Sequence, residues 1–204
     1  MLRVYGDIFS GNCFKVKLVL LQLATPHEWI DTDLLRGDTH TAEFLAMNPN
    51  ARVPLLDLGN GQFLPESNAI LHYLAEGSHL LPRDRLQRAR VLQWMFFEQY
   101  SHEPFVAVAR FILRYLGRPA KEEERLQRCF APGYRALDVM EKHLAQCNFL
   151  VAERYSIADI ALYAYTHVAH EGGFDLGNYP ATRAWLARVR GQPNYRAMDD
   201  ANAP

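Results

Sequence analysis

"NPNARVPLLDLGNGQFLPESNAILHYL", residues 48–74, holds two strand-like runs and the start of a helix, joined by tight turns. Val53–Leu58 and Gln62–Leu64 flank Gly59-Asn60-Gly61, a pattern that predicts a β-hairpin. Asn68–Glu76 then repeats apolar residues at helical spacing, and Gly77 stops it. Upstream, Leu2–Tyr5 is a brief strand and Asn12–Ala24 a helix, with Val16, Val19, Leu20 and Leu23 spaced by three and four. Pro26 breaks that helix, and His27–Asp31 follows as a second strand. A strand–helix–strand unit followed by a hairpin and a helix predicts a small α/β domain with a mixed four-stranded sheet.

Beyond "GSHLLPRDR", residues 77–85, the strand signal ends. Leu86, Ala89, Leu92, Phe96 and Tyr100 form one helical stripe, continued by Phe105, Val108, Ile112 and Tyr115. Pro104 between them predicts a bend or two consecutive helices. Leu126, Phe130, Gly133, Leu137, Met140 and Leu144 form a longer helix that Pro132 should kink. Further stripes run through Ile157–Val168 and Trp185–Val189. The expected organisation is an α/β domain over 1–77, a linker over 78–84 and an all-helical domain over 85–204. Crevices between domains are favoured ligand sites.

The chain has 204 residues, about half of them apolar, and a formal charge of −1. A filled core is available, and no cationic excess exists to displace counterions from nucleic acid. Three cysteines, Cys13, Cys129 and Cys147, form no C-x-x-C pattern, which predicts reduced thiols in a cytoplasmic protein. "MLRVYGD" lacks the order of a signal peptide, and no apolar run nears the roughly 20 residues of a membrane helix, so no membrane partner is expected.

Four stretches carry chemistry: "FSGNCFKV" (9–16), "NPNARVPLL" (48–56), "LPESNAILHYL" (64–74) and "YSIADIALYAY" (155–165). Read by physics alone, Glu66 and Ser67 open an apolar helix, where free N–H groups and the dipole favour an anion. The plainer reading makes Ser67 an N-cap and Glu66 a favourable helix-start charge. Pro54 stands at the first position of a strand, where a proline costs no ladder bond. Ser156 and Asp159 form a capping box, with Tyr155 and Ile160 as its staple.

In this order and spacing the four stretches resemble the cytosolic glutathione S-transferases, over nearly the whole chain. The form is similar to bacterial serine/asparagine types of the theta, zeta and nu-like classes. The resemblance implies an α+β fold: a thioredoxin-like N-terminal domain with a mixed four-stranded sheet, then an all-α helical bundle. It implies a cis bond at Pro54, with the main chain of Val53 pairing to glutathione as an extended peptide. Glu66 and Ser67 would then take the γ-glutamyl end, with Glu66 on its ammonium and Ser67 on its carboxylate. His40 and Arg52 fall where the family reaches the glycine carboxylate, Arg52 being the stronger electrostatic partner. Either is otherwise a solvated surface group, and Lys15 is assigned to solvent.

The thiolate is the nucleophile in this chemistry. Lowering a thiol pKa by two units means stabilising the anion by about 2.7 kcal/mol. Ser10 aligns with the family's catalytic serine, and Asn12 resembles an asparagine that holds the sulfur in some bacterial classes. Cys13 is the competitor: it lies in the first helical turn, whose N-terminus should lower its pKa. Cys129 and Cys147 are expected to be buried apolar residues.

Tyr100, Phe105 and Tyr163 are candidates for an electrophile pocket. His102, Glu103, His167 and His170 match no standard zinc spacing, and the family needs no metal. The implied activity is conjugation of glutathione, the co-substrate, to small hydrophobic electrophiles by a homodimer. Two alternatives stay open: a glutathione-dependent disulfide or peroxide reductase, and a non-catalytic binding or regulatory member.

Overall fold

β1 (Leu2–Gly6) is central in a four-stranded sheet. It pairs in parallel with β2 (His27–Asp31), Val4 opposite Trp29, and antiparallel with β3 (Leu55–Asp57), Val4 opposite Leu56. β4 (Phe63–Pro65) returns antiparallel to β3, so the order is β2-β1-β3-β4. The mixed sheet is the predicted one, with the first hairpin strand shorter than the alternation suggested and the second displaced by one residue. The computed structural model describes residues 1–198 and residue 200.

α1 (Gly11–Gln22) joins β1 to β2, and α2 (Ala42–Met47), capped by Thr41, lies before the hairpin. α3 (Ser67–Ala75) follows β4 and packs on α1. Nearly every side of α1 is buried, Phe14, Val16, Leu18, Val19 and Leu20 among its apolar residues. Gly6 has to be glycine, because a Cβ there would meet the Trp29 ring at 2.6 Å.

The chain forms two compact units, one of residues 1–78 together with the described residues from Pro193 onward, the other of His79–Gln192. The last described residues therefore belong with the α/β unit rather than with the helical one. Lys17 on α1 donates to the Asp200 carbonyl at 3.3 Å and lies over the Trp29 ring. The expected linker is likewise packed structure: Leu80 and Leu81 are buried, and the Leu80 carbonyl accepts from Ile157 N–H at 3.0 Å.

The helical unit contains α4 (Arg85–Phe97), α5 (Glu103–Arg110), α6 (Glu123–Leu144), α7 (Ile157–Thr166) and α8 (Pro180–Arg190). Between α4 and α5 one π-helical turn, Glu98–His102, widens the backbone ahead of Pro104, which has no N–H to give. The predicted interruption is present in that form. α6 runs without a break through Pro132, and Gly133 beside it gives way to the Phe174 ring, 2.5 Å from where its Cβ would stand.

The first stripe departs from the expected core. Val91, Trp94 and Met95 are the buried face of α4, whereas Leu86, Ala89, Leu92, Phe96 and Tyr100 are exposed, Phe96 at 69% and Tyr100 at 86%. No helix among the described residues is long and apolar enough to cross a membrane.

Candidate active site

The turn Asp7–Ser10 carries the chain from β1 into α1. Ser10 is extended (φ −75°, ψ 123°) and caps α1, its Oγ accepting from Cys13 N–H at 3.4 Å. This bond uses the acceptor side of the hydroxyl and leaves its proton to be directed elsewhere. Asn12 is in the first turn, and its Oδ1 accepts from Ser67 Oγ at 3.2 Å. That bond joins residues 55 positions apart and brings together the two ends of the predicted site.

Cys13 is fully buried, near Gly6 and the Trp29 ring. Burial pushes its thiol up to about 12, although Ser10 and the Asp7 backbone favour the thiolate. The expected lowering at a helix start is overturned because desolvation outweighs the local donors. At neutral pH Cys13 is a protonated, enclosed thiol. All three cysteines are free, Cys129 buried as expected and Cys147 half-exposed.

The Val53–Pro54 peptide bond is cis. The loop before it is held by buried Asn48, whose Nδ2 donates to the Arg52 carbonyl at 2.8 Å while its Oδ1 accepts from Asn50 N–H at 3.1 Å. The β3–β4 ladder begins at Leu55, so Val53 lies outside it. The Arg52 and His40 side chains are exposed.

Glu66 is the exposed residue ahead of α3, at φ 71° and ψ 108°. Ser67 is the first helical residue and is buried. Its hydroxyl does not cap α3: it donates to Asn12 and accepts from Lys15 Nζ at 3.4 Å. The plain N-cap reading of Ser67 therefore does not hold. Nor does the solvent assignment of Lys15, whose exposure is 0%. Its position on a helix apolar on almost every side was the available signal.

A model of the glutathione S-transferase N-terminal domain matches residues 9–76, and one of the C-terminal domain matches residues 99–193. The chain belongs to the glutathione S-transferase family. The crystal structure of a glutathione S-transferase from Pseudomonas fluorescens Pf-5 is 56% identical, with a TM-score of 0.95 over 98% of this chain and 99% of that one. Disulfide-bond oxidoreductase YfcG of Escherichia coli K12 is 31% identical over 191 residues, 90% of this chain and 88% of its own length. A glutathione transferase family member from Pseudomonas fluorescens Pf-5, crystallised with two glutathione bound, is 28% identical, with a TM-score of 0.82 over 95% and 89% of the two chains.

The three aromatic candidates of the helical unit differ widely in exposure. Tyr100 is almost wholly exposed and Phe105, on α5, is half-buried. Tyr163 is enclosed in the core: its ring stacks on His167 at 4.6 Å, and its OH accepts from Arg190 Nε at 3.3 Å. A ring with no exposed surface has no face to offer an incoming substrate, so its aromatic character serves packing. His102 is buried and bonds through Nε2 to Thr166 Oγ1 at 3.0 Å. Among the described residues no group of three His, Cys, Asp or Glu is placed to hold a metal ion.

Proposed function

We propose that the protein is a glutathione S-transferase that holds glutathione as a thiolate and conjugates it to small hydrophobic electrophiles. The observation that carries this reading is the Ser67–Asn12 hydrogen bond, because it joins the proposed sulfur end to the proposed γ-glutamyl end. Ser10 turns its hydroxyl proton to the sulfur. Asn12 turns its side-chain amide to the same sulfur as Ser67 turns its proton from Asn12 to the ligand. Glu66 takes the γ-glutamyl ammonium, Ser67 the carboxylate beside it, and the main chain of Val53 pairs with the peptide after the turn at Pro54. His40 and Arg52, both on the surface, reach the glycine carboxylate.

Replacing Ser10 with Ala is expected to lower kcat/KM about 100-fold, the usual cost of removing one donor to a developing anion. The thiol pKa of bound glutathione should rise with it. Full conjugation with an unchanged thiol pKa excludes the role of Ser10.

A second reading keeps glutathione and changes the reaction to disulfide or peroxide reduction. It is supported by the similarity to a disulfide-bond oxidoreductase. With Cys13 enclosed and its thiol near 12, a second glutathione rather than this cysteine would resolve the mixed disulfide. Parallel assays with an aryl halide and a model disulfide separate the two readings. Turnover of the disulfide alone selects reductase.

The protein works as a homodimer in the cytoplasm, where its role is detoxification. The exposed row Leu86, Leu92, Phe96 and Tyr100 supports a second copy of the chain as its cover, since a row of large apolar side chains is costly in water. Leu92→Glu with Phe96→Glu should give a monomer by light scattering. An unchanged mass, or a monomeric wild type, overturns the assembly.

A further inference from the structure

The Ser67 hydroxyl proton is committed in this structure: Oγ donates it to Asn12 Oδ1 at 3.2 Å, while its acceptor side takes Lys15 Nζ at 3.4 Å. A hydroxyl has one proton, so Ser67 donates to one acceptor at a time. In the reading above the same two residues serve opposite ends of glutathione, Ser67 the γ-glutamyl carboxylate and Asn12 the sulfur. The observed bond and a bond to the carboxylate therefore exclude each other.

The competition has a direction. Asn12 Oδ1 is a neutral amide oxygen, and a hydrogen bond to an ionised acceptor is about twice as strong as one between neutral groups. A docking carboxylate thus draws the hydroxyl round to itself, and Asn12 Oδ1 gives up its bond from Ser67. Asn12 is in the first turn of α1, close in the chain to the Ser10 cap, so a side-chain amide that swings away from Ser67 can join the Ser10 hydroxyl at the sulfur. The Ser67 hydroxyl is a rotor with two positions, and both ends of the ligand bias it.

We propose that Ser67 couples the two ends of glutathione. Docking of the γ-glutamyl carboxylate turns the Ser67 proton away from Asn12, and the released Asn12 amide then stabilises the thiolate, the thiol proton passing to water. The site in this way distinguishes glutathione from thiols without the carboxylate by how far it ionises them as well as by how tightly it holds them. By linkage, an ionised sulfur favours the carboxylate in return. This rests on the glutathione reading above.

The test compares glutathione with γ-aminobutyryl-Cys-Gly, which is glutathione without the α-carboxylate of its γ-glutamyl residue. The thiol pKa of each ligand, bound at saturation, is read from the ultraviolet absorbance of the thiolate in wild type, Asn12→Ala, Ser67→Ala and the double variant. Asn12→Leu carries the test if the alanine variant does not fold. With Ser67 present, Asn12→Ala is expected to raise the pKa of bound glutathione by about one, a tenfold change in ionisation, as suits one hydrogen bond to an anion. The bound analogue should move by less than a third as much. In the Ser67→Ala background Asn12→Ala should move both ligands alike. Equal effects on the two ligands with Ser67 present would mean that Asn12 reaches the sulfur without the carboxylate. A difference that persists in Ser67→Ala would mean that the coupling does not run through Ser67, and no effect on either ligand that Asn12 does not hold the sulfur. Each of these results overturns the proposal. A wild type that does not bind glutathione overturns the underlying reading instead.

Discussion

A buried polar cluster in the helical unit and one in the α/β unit are built differently. In the helical unit the Asp159 carboxylate is saturated. Its Oδ1 accepts from Leu150 N–H at 3.0 Å and Trp185 Nε1–H at 2.9 Å, and its Oδ2 accepts from Ser156 N–H at 2.9 Å and Ser156 Oγ at 3.2 Å. In the α/β unit the Lys15–Ser67–Asn12 chain and the Ser10 cap have bonds of 3.2 to 3.4 Å. Ser10 and Ser67 each have one hydroxyl proton that can be redirected. A saturated cluster holds a fold together. A looser one, whose bonds tighten only on a ligand, is the ordinary condition of an unliganded site.

The largest way to break this comparison is Asp159→Ala. It strands buried donors on Leu150, Ser156 and Trp185, and should cost about 3–5 kcal/mol of stability. The affinity of the folded fraction for glutathione should not change. Ser67→Ala should do the reverse, costing about 1 kcal/mol or less while weakening glutathione at least tenfold. Denaturant melts paired with calorimetry read both quantities. If Ser67→Ala unfolds the protein as readily as Asp159→Ala, the two clusters are alike and the distinction fails.

A pH profile sharpens the helical side. Burial lowers His167 from 6.5 to about 4, helped by the nearby Arg110 and Arg190. Between those values the folded state binds fewer protons than the unfolded chain. The stability present above pH 6.5 is therefore lost as pH falls toward 4, by about 3 kcal/mol. Asp159 runs the other way, since burial raises it from 3.8 to about 6 against four donors that favour the carboxylate. Its folded form binds more protons, so stability is gained as pH falls from 6 to 4, again by about 3 kcal/mol. The two offset each other within one unit. His167→Gln should expose the Asp159 slope alone, and relative to wild type it should gain up to about 3 kcal/mol between pH 6.5 and 4. Parallel melting profiles would show that His167 is not held neutral by the fold.

The α/β unit was the more legible in the sequence, because period-two runs and turn residues fix both strand and register. β2 has the predicted limits, His27–Asp31. The capping box at Ser156 and Asp159 was readable for the same local reason. Periodicity fails where both sides of a helix are apolar. α4 has Leu86, Leu92 and Phe96 on one side and Val91, Trp94 and Met95 on the other, and spacing does not say which side meets the core. Lys15 was misplaced because lysine is ordinarily exposed, and only the packing of α1 buries it. Cys13 was misjudged because the helix-start effect is local whereas its desolvation depends on the assembled sheet. At the site, the candidate residues could be named from the sequence; the bond that pairs Ser67 with Asn12 across 55 positions could not.

The smallest expected effect concerns backbone. Ser156, which anchors the saturated cluster, has ordinary extended torsions of −150° and 175°. Glu66, beside the looser one, sits at φ 71° and ψ 108°, a conformation that costs a side-chain-bearing residue about 1–3 kcal/mol. Glycine adopts it freely, at the expense of a more flexible unfolded chain by about 0.4–1 kcal/mol. Glu66→Gly is thus expected to leave stability unchanged or raise it by up to about 2.6 kcal/mol. Glutathione should bind about tenfold more weakly, through loss of the carboxylate that faces the γ-glutamyl ammonium. Stability rising while affinity falls would identify strain held for a ligand. Stability falling with affinity would show that the Glu66 side chain supports the start of α3, and the looser cluster would then be structural as well.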